Sequence, residues 1–272
     1  MRLSRSRLGD PFPASAREIL DRFGPKAHPA LQGYLRTHAR RYAWIVDYLQ
    51  PLIEDRRRDR SGAGLKVLDV GPSFQTFLLA DLVPDGRVDT IGYYDPKFLD
   101  APDGTAPARL RLPADQHVSF DLNDTEREEL WPRLADYDLV LMAETIEHLY
   151  VGPTAVLRFL ASGLRPGGYL VVQTPNAVAL HKRVWMAIGR SPINPLPDNR
   201  PGEAHLHEYT IDELVAGGRR AGLDVTDISL CNCVGGTLAA RWYGALGRLL
   251  PRSLRDGLAV TFRVPVTPAR RT

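Results

Sequence analysis

From residue 65 onward, short uninterrupted apolar runs alternate with segments of helical spacing. Such runs, bounded by turn residues, are the pattern of parallel strands covered on both faces. The predicted strands are KVLDVG (66–71), VDTIGYYD (88–95), VSFDLND (118–124), LVLMA (139–143), YLVVQTP (169–175), LDVTDISL (223–230) and LAVTFRV (258–264). Between them, Phe74, Phe77, Leu78 and Leu82 share one helical face, with Ser73 placed to cap it. Val156, Leu157, Leu160 and Leu164 form a second face, closed by Pro166-Gly167-Gly168. Thr210 and Glu213 are spaced as a capping box for a helix that stops at Gly222. Leu238, Trp242, Leu246, Leu249 and Leu250 suggest a further amphipathic helix.

Ahead of this alternation, Leu31, Leu35, His38, Tyr42, Ile45, Val46, Leu49, Leu52 and Ile53 follow helical spacing, and RRRDRSGAG (56–64) reads as a linker. Repeated strand–helix units predict an α/β fold. The expected architecture is a Rossmann-like, mostly parallel seven-stranded sheet with helices on both faces, plus an N-terminal helical extension. We divide the chain into an extension or cap (1–60) and the sheet domain (61–272). Residues 177–204 carry four prolines and little regular pattern, and read as a lid-like insertion.

Composition changes this picture little. At 272 residues and 44% hydrophobic, the chain is long enough for a sizeable core. A net charge of +3 gives no argument for nucleic acid, and Arg56–Arg58 reads as part of a solvated linker. The start lacks the apolar core of a secretory signal, and no run approaches a membrane span. A cytoplasmic location is expected. The two cysteines, Cys231 and Cys233, stand too close in sequence for an easy disulfide and supply too few ligands for zinc, so both read as small structural residues.

The polar positions that interrupt the strand ends carry the chemistry. Open α/β sheets bind ligands at the carboxyl ends of their strands. Asp69 precedes Gly71, Asp95 ends the second strand, Asp121 ends the third, and Glu144, Thr145, Glu147 and His148 follow the fourth. An acid closing the second strand can accept both ribose hydroxyls, and Asp121 an adenine amino group, with Leu122 offering an apolar face or a backbone N–H. The loop after the first strand is GPSFQT, so neither the dinucleotide fingerprint nor a P-loop is present. The layout suits an adenosine ligand without a pyrophosphate.

VLDVG, IGYYD, FDLND, YDLVLMAETIEHL, LRPGGYLVVQTPN and HLHEYTIDELVAGGRRAGL stand in the order and at the distances of a known family. The chain resembles the class I S-adenosylmethionine-dependent methyltransferases over roughly residues 64–230, and in particular the small-molecule enzymes of the ubiquinone-pathway type. The resemblance implies S-adenosylmethionine as cofactor, held by Asp69, Gly71, Pro72, Ser73, Asp95, Asp121, Leu122 and Glu144. One departure stands out. The family usually places G-x-G after the first strand, whereas Pro72 and Ser73 follow Gly71 here. A non-catalytic binding or regulatory protein on the same fold is the alternative this loop raises.

Methyl transfer from a sulfonium chiefly requires alignment and exclusion of water. An oxygen nucleophile must also lose its proton, and His148 and His205 are the candidate bases. Glu144, Glu147, His148 and His205 also form a candidate ligand set for a divalent ion, similar to the E-x-x-E-H of some ubiquinone-pathway and small-RNA methyltransferases. His207 reads as a surface or lid residue. Tyr34, Tyr42, Trp44, Trp185, Trp242 and Tyr243 stand in the segments expected around the mouth. The expected acceptor is a small molecule, a saccharide or a lipid-linked metabolite, with peripheral membrane contact through the helix near 238–250 as one route to the last.

Overall fold

The computed structural model describes residues 14–23, 29–61, 63–93, 113–193, 204–233 and 251–266. Seven strands form one sheet in the order β3-β2-β1-β4-β5-β7-β6. They are β1 (Lys66–Val70), β2 (Arg87–Ile91), β3 (Gln116–Val118), β4 (Tyr137–Ala143), β5 (Leu164–Pro175), β6 (Asp224–Cys231) and β7 (Gly257–Arg263). β1 to β5 pair in parallel, and β7 runs antiparallel between β5 and β6. β1 and β4 lie side by side at the centre, and every residue of β4 is buried. Their short apolar runs follow from being covered on both faces.

One face carries α1 (Ala14–Phe23), α2 (Pro29–Asp59) and α3 (Phe74–Leu82), packed through Leu35, Tyr42, Ile45, Leu49, Ile53 and Phe74. The other carries α4 (Pro153–Ser162) and α6 (Ile211–Arg220), packed through Val156, Leu157, Leu160 and Leu214. Thr210 and Glu213 form the expected capping box at the start of α6. α5 (Leu180–Ala187) stands within the segment read as a lid-like insertion with little regular pattern, where its exposed end leaves little apolar periodicity to detect.

The third strand is shorter than predicted. Leu122–Asp124 is a turn of 3-10 helix, with Asp121 accepting from the Asn123 N–H at its start. α2 is longer than predicted, running through Arg56–Arg58 to Asp59. The solvated-linker reading of these arginines fails at Arg56. Its guanidinium is buried, 3.3 Å from the buried Asp138 carboxylate and 3.2 Å from the Gly167 carbonyl. A basic run conceals one core cation because helical geometry turns successive residues about 100° apart.

The reading of the cysteines is also corrected. Cys231 and Cys233 form a disulfide, with Cα atoms 5.5 Å apart. The chain leaves β6 at this point, which brings together sulfurs that a regular strand would hold on one face without bonding. The Cys233 N–H donates to Asp256 beside β7 at 2.6 Å. No helix among the described residues is long and apolar enough to cross a membrane. The predicted helix near 238–250, with Trp242 and Tyr243, lies outside the described residues.

Candidate active site

Two glycines open a cradle at the carboxyl ends of β1 and β2. Gly71 has φ +73° and Gly92 has φ +119°, conformations that L side chains rarely adopt. A Cβ on Gly71 would lie 2.5 Å from Thr145 Oγ1, whereas one on Gly92 would find room at 3.6 Å from the Gly71 nitrogen, so there the backbone conformation alone favours glycine. Gly71 donates its N–H to Ile91, and Gly92 to Val118, locking the strand ends together. Pro72 is buried, and Ser73 is half-buried with its hydroxyl contacting Gln75 and Tyr42. Ser73 stands at the start of α3 but its side chain makes no capping bond.

Asp69 lies beneath this loop with no exposed surface. Its carboxyl accepts from Thr76 Oγ1 at 2.6 Å and Gln75 Nε2 at 3.3 Å, and Gln75 also donates to the Gly71 carbonyl at 2.9 Å. Burial pushes the Asp69 carboxyl up to about 7, against these two bonds that favour the anion. Asp69 therefore shapes the loop from below.

At the end of β4 the chain enters the left-handed region at Glu144, with φ +50°. Glu144 Oε1 accepts from Gln173 Nε2 at 2.6 Å, and Oε2 lies 3.3 Å from Arg41 Nη1. Glu147 is fully buried. One of its oxygens accepts from Thr174 Oγ1 at 2.8 Å, and the other, Oε1, is buried without a hydrogen-bond partner. Burial first, and then Glu144, push its carboxyl well above the usual range. His148 places Nδ1 2.9 Å from the Ala204 carbonyl, which assigns the proton to Nδ1 and leaves Nε2 as the base. Burial holds this imidazole below its ordinary value.

The segment from Ala204 returns to this strand end. Its base is fixed by a bridge between Asn176 and Tyr209, and Leu206 donates its N–H to the Glu147 carbonyl at 2.7 Å. The rings of His148 and His205 meet edge to face, 4.9 Å apart. His205 Nδ1 lies 3.0 Å from Glu208 Oε1, and the other Glu208 oxygen binds Lys182 of α5. His207 is exposed and pairs with Glu213.

α2 lays a polar stripe over the same place. Tyr34, His38, Arg41 and Tyr42 follow its turns, and Arg41 donates to both tyrosine hydroxyls at 3.0 and 3.2 Å. Burial works against the Arg41 charge, yet Tyr42, Tyr34 and Glu144 hold the guanidinium above its ordinary value. Burial, then Arg41, then His205 press His38 down to about 3, so it is neutral. Arg41 was missed in the sequence because it sits among apolar residues of an ordinary helical pattern, and His38 was read only as part of that pattern. Glu208 was within reach, since His205 and Glu208 belong to the H-x-x-E-Y-T box.

A family model described as a methyltransferase domain matches residues 34–228, from the first turns of α2 to β6. The chain belongs to this methyltransferase family. It is a class I S-adenosylmethionine-dependent methyltransferase, and the ends of β1, β2 and β4 lie side by side in its sheet. The methyltransferase is similar in fold to the [4+2]-cyclase SpnF, at 16% identity over 95% of this chain and 100% of that one, with a TM-score of 0.50. A methyltransferase from Mesorhizobium loti is 17% identical, covering 74% of this chain and 91% of its own, with a TM-score of 0.47. The N-methyltransferase NodS from Bradyrhizobium japonicum, in complex with S-adenosylhomocysteine, is 15% identical over 80% of this chain and 87% of its own, with a TM-score of 0.41. Among curated proteins none matches.

The methyltransferase brings Gly71, Pro72, Ser73 and Glu144 to one strand-end cradle, with Asp121 at the neighbouring edge. Asp121 Oδ1 is held by Asn123, and the exposed Tyr93 hydroxyl also reaches that carboxylate. The Leu122 side chain is buried in the core, so its predicted apolar face is not offered to a ligand and only its main chain remains. Asp95 lies outside the described residues. Of the four predicted metal ligands, Glu147, His148 and His205 offer atoms within 4.8 Å of one another, whereas Glu144 is drawn to Arg41 and Gln173. Trp44 stacks on Tyr48 against the core and Tyr42 is buried, so neither lines an open mouth. Tyr34 and Trp185 are exposed.

Proposed function

We propose that this methyltransferase transfers the methyl group of S-adenosylmethionine to an oxygen of a small-molecule, saccharide or lipid-linked acceptor, with His205 as the base. The observation that carries this reading is the His205–Glu208 pair. A carboxylate on Nδ1 keeps that nitrogen protonated, turns Nε2 into the acceptor, and stabilises the imidazolium formed when Nε2 takes a proton. Lys182, on the far oxygen, keeps Glu208 ionised and fixed. His148, with Nδ1 bound to Ala204, presents a second free Nε2 beside it.

When bound, S-adenosylmethionine supplies a methyl already activated on sulfur. The chain must hold the acceptor hydroxyl, take its proton and keep water out. The cradle at Gly71 and Gly92, with buried Arg41 donors and the buried Gln173 and Glu147 oxygens facing no partner, fits a polar ligand at these strand ends. The test is a panel of hydroxyl, amine and thiol acceptors incubated with methyl-labelled cofactor. Label on oxygen, lost in His205→Gln, supports the reading. Label confined to nitrogen or carbon overturns it.

Among acceptor classes, α5 favours a lipid-linked one. Val184, Trp185, Met186 and Ile188 are all exposed, flanked by Arg183 and Arg190, and residues 177–193 contain no acid. Exposed aromatic and aliphatic side chains with basic neighbours suit an anionic bilayer surface. α5 reaches the proposed base through Lys182 and Glu208. Binding to phosphatidylglycerol vesicles, absent with neutral vesicles and with Trp185→Ser, is expected. Self-association through Trp185, or no vesicle binding, would remove the lipid preference.

A divalent ion on Glu147, His148 and His205 is a second reading, favoured by the buried, unpartnered Glu147 Oε1. These three residues would hold the ion, which would lower the pKa of the acceptor hydroxyl. Calorimetric titration of chelator-treated protein with Mg²⁺, Mn²⁺ and Zn²⁺ tests it. Saturable binding lost in His148→Gln supports the ion, and no heat with any of the three excludes it.

A further inference from the structure

We infer that Arg41 and Glu144 form the subsite for the amino-acid end of the cofactor, Arg41 taking its carboxylate and Glu144 its ammonium. This rests on the S-adenosylmethionine reading and concerns which residues of this chain compensate for the altered loop.

The glycine loop is poorly supplied for that task. Pro72 has no N–H, the Gly71 N–H is given to Ile91, and Ser73 carries a side chain where close approach is needed. Its hydroxyl is engaged with Gln75 and Tyr42. The cofactor's amino-acid end is a zwitterion at neutral pH. It requires a cation and an anion a few ångströms apart, shielded from water.

Arg41 and Glu144 meet that description. Their charged atoms lie 3.3 Å apart, close enough to attract but not bonded as a hydrogen-bonded pair, and Arg41 is only 2% exposed. Both Nε and Nη1 of Arg41 are buried without a hydrogen-bond partner, while Nη2 is held by Tyr34 and Tyr42. A buried guanidinium with two unused donors is an arrangement that proteins avoid unless something else pairs with it. Gln173 fixes the far oxygen of Glu144, so Oε2 faces Arg41.

The pair is also in the right place. Tyr42, next to Arg41, reaches the hydroxyl of Ser73 in the loop itself. Thr145, next to Glu144, packs against Gly71. Lys182, another buried cation, is committed to Glu208. Arg41 on one side and the Gly71 loop on the other thus border the same cradle.

The test compares two ligands sharing one nucleoside thioether: S-adenosylhomocysteine, with the amino-acid end, and 5′-methylthioadenosine, without it. Calorimetric titrations are run on the full chain and on Arg41→Gln, Arg41→Lys and Glu144→Gln, each with its unfolding midpoint. Arg41→Gln is expected to weaken S-adenosylhomocysteine by about tenfold or more, as for a lost charge-assisted contact, and methylthioadenosine by less than about twofold. Arg41→Lys, which keeps the charge, should lose less on the same ligand, and decides the matter if Arg41→Gln does not fold. Equal losses on both ligands would assign Arg41 a structural role and overturn the inference, as would no loss on either. If the native chain binds neither ligand, the cofactor reading itself fails, which is a separate result.

Discussion

His205 Nδ1 lies 3.0 Å from one oxygen of Glu208, and Lys182 occupies the other oxygen of that carboxylate. This chain of three residues runs from α5 to the proposed base. It makes His205 an oriented acceptor and gives α5 a way to influence it. His205→Gln is expected to lower kcat by about 10²–10⁴-fold with S-adenosylhomocysteine affinity unchanged. Glu208→Gln should cost less, since it misorients the base without removing it. Steady-state kinetics beside calorimetry check both.

Asp69 makes stability depend on pH in an unusual direction. Its folded pKa is raised to about 7, so between about 4 and 7 the folded state holds a proton that the unfolded state releases. Stability from this group is therefore full at low pH and is lost as pH rises towards 7. Asp69→Asn cannot ionise, and its amide can still meet Thr76 and Gln75. The variant should gain on the native protein by up to a few kcal/mol between pH 5 and 7.5, as measured by urea unfolding at both values.

His38 acts oppositely. Its folded pKa is depressed to about 3, so its contribution is present above about 6.5 and lost as pH falls towards 3. His38→Gln should flatten the acid side of the stability curve. An unchanged acid limb would mean that burial and the Arg41 charge do not hold the imidazole neutral.

Much of the fold was legible because parallel strands covered on both faces carry short apolar runs, as Leu139–Ala143 of β4 and Tyr169–Val172 of β5 do, with the few buried polar residues such as Asp69 and Asp138 paired to partners. The β4 end was legible for a related reason, since Glu144, Glu147 and His148 interrupt an otherwise apolar unit. Arg41 and Arg56 were hidden, because a single polar residue on the buried stripe of a helix looks like one on the exposed stripe until its partner is known, and His38 was read on the helical stripe but without the Arg41 neighbour that gives it a role. Arg41 finds Glu144, 103 positions away, and Arg56 finds Asp138. The disulfide was hidden because C-x-C spacing forbids it only while the strand stays regular. Asp95, the expected ribose ligand, stays a reading of the sequence.

Gly71 is the point where the strand-end geometry admits no side chain. Its φ is +73°, and an added Cβ would meet Thr145 Oγ1 at 2.5 Å. Gly71→Ala should lower stability by about 1–3 kcal/mol and weaken cofactor binding. Thr145→Ser, which leaves the hydroxyl but removes a methyl, should not rescue it. Chemical denaturation and titration of the same samples give both quantities.

Arg56 and Asp138 form a buried pair that ties α2 to β4. Asp138 also accepts from the Lys66 N–H at 3.0 Å and lies 3.6 Å from Arg60 Nε, so Arg56→Met weakens the pairing of this buried charge without stranding it and should destabilise by about 1–3 kcal/mol. The double variant Arg56→Met, Asp138→Leu should recover part of that loss. Additive losses in the cycle would contradict the pairing.

The most direct test is calorimetric titration of the purified chain with S-adenosylhomocysteine, with NADH as control. Saturable binding in the micromolar range, and none of NADH, is the predicted result. It would show that the Gly71 loop, with Pro72 and Ser73 in place of the usual glycines, still serves a methyltransferase cofactor. No binding to protein shown to be folded would contradict the account at its centre.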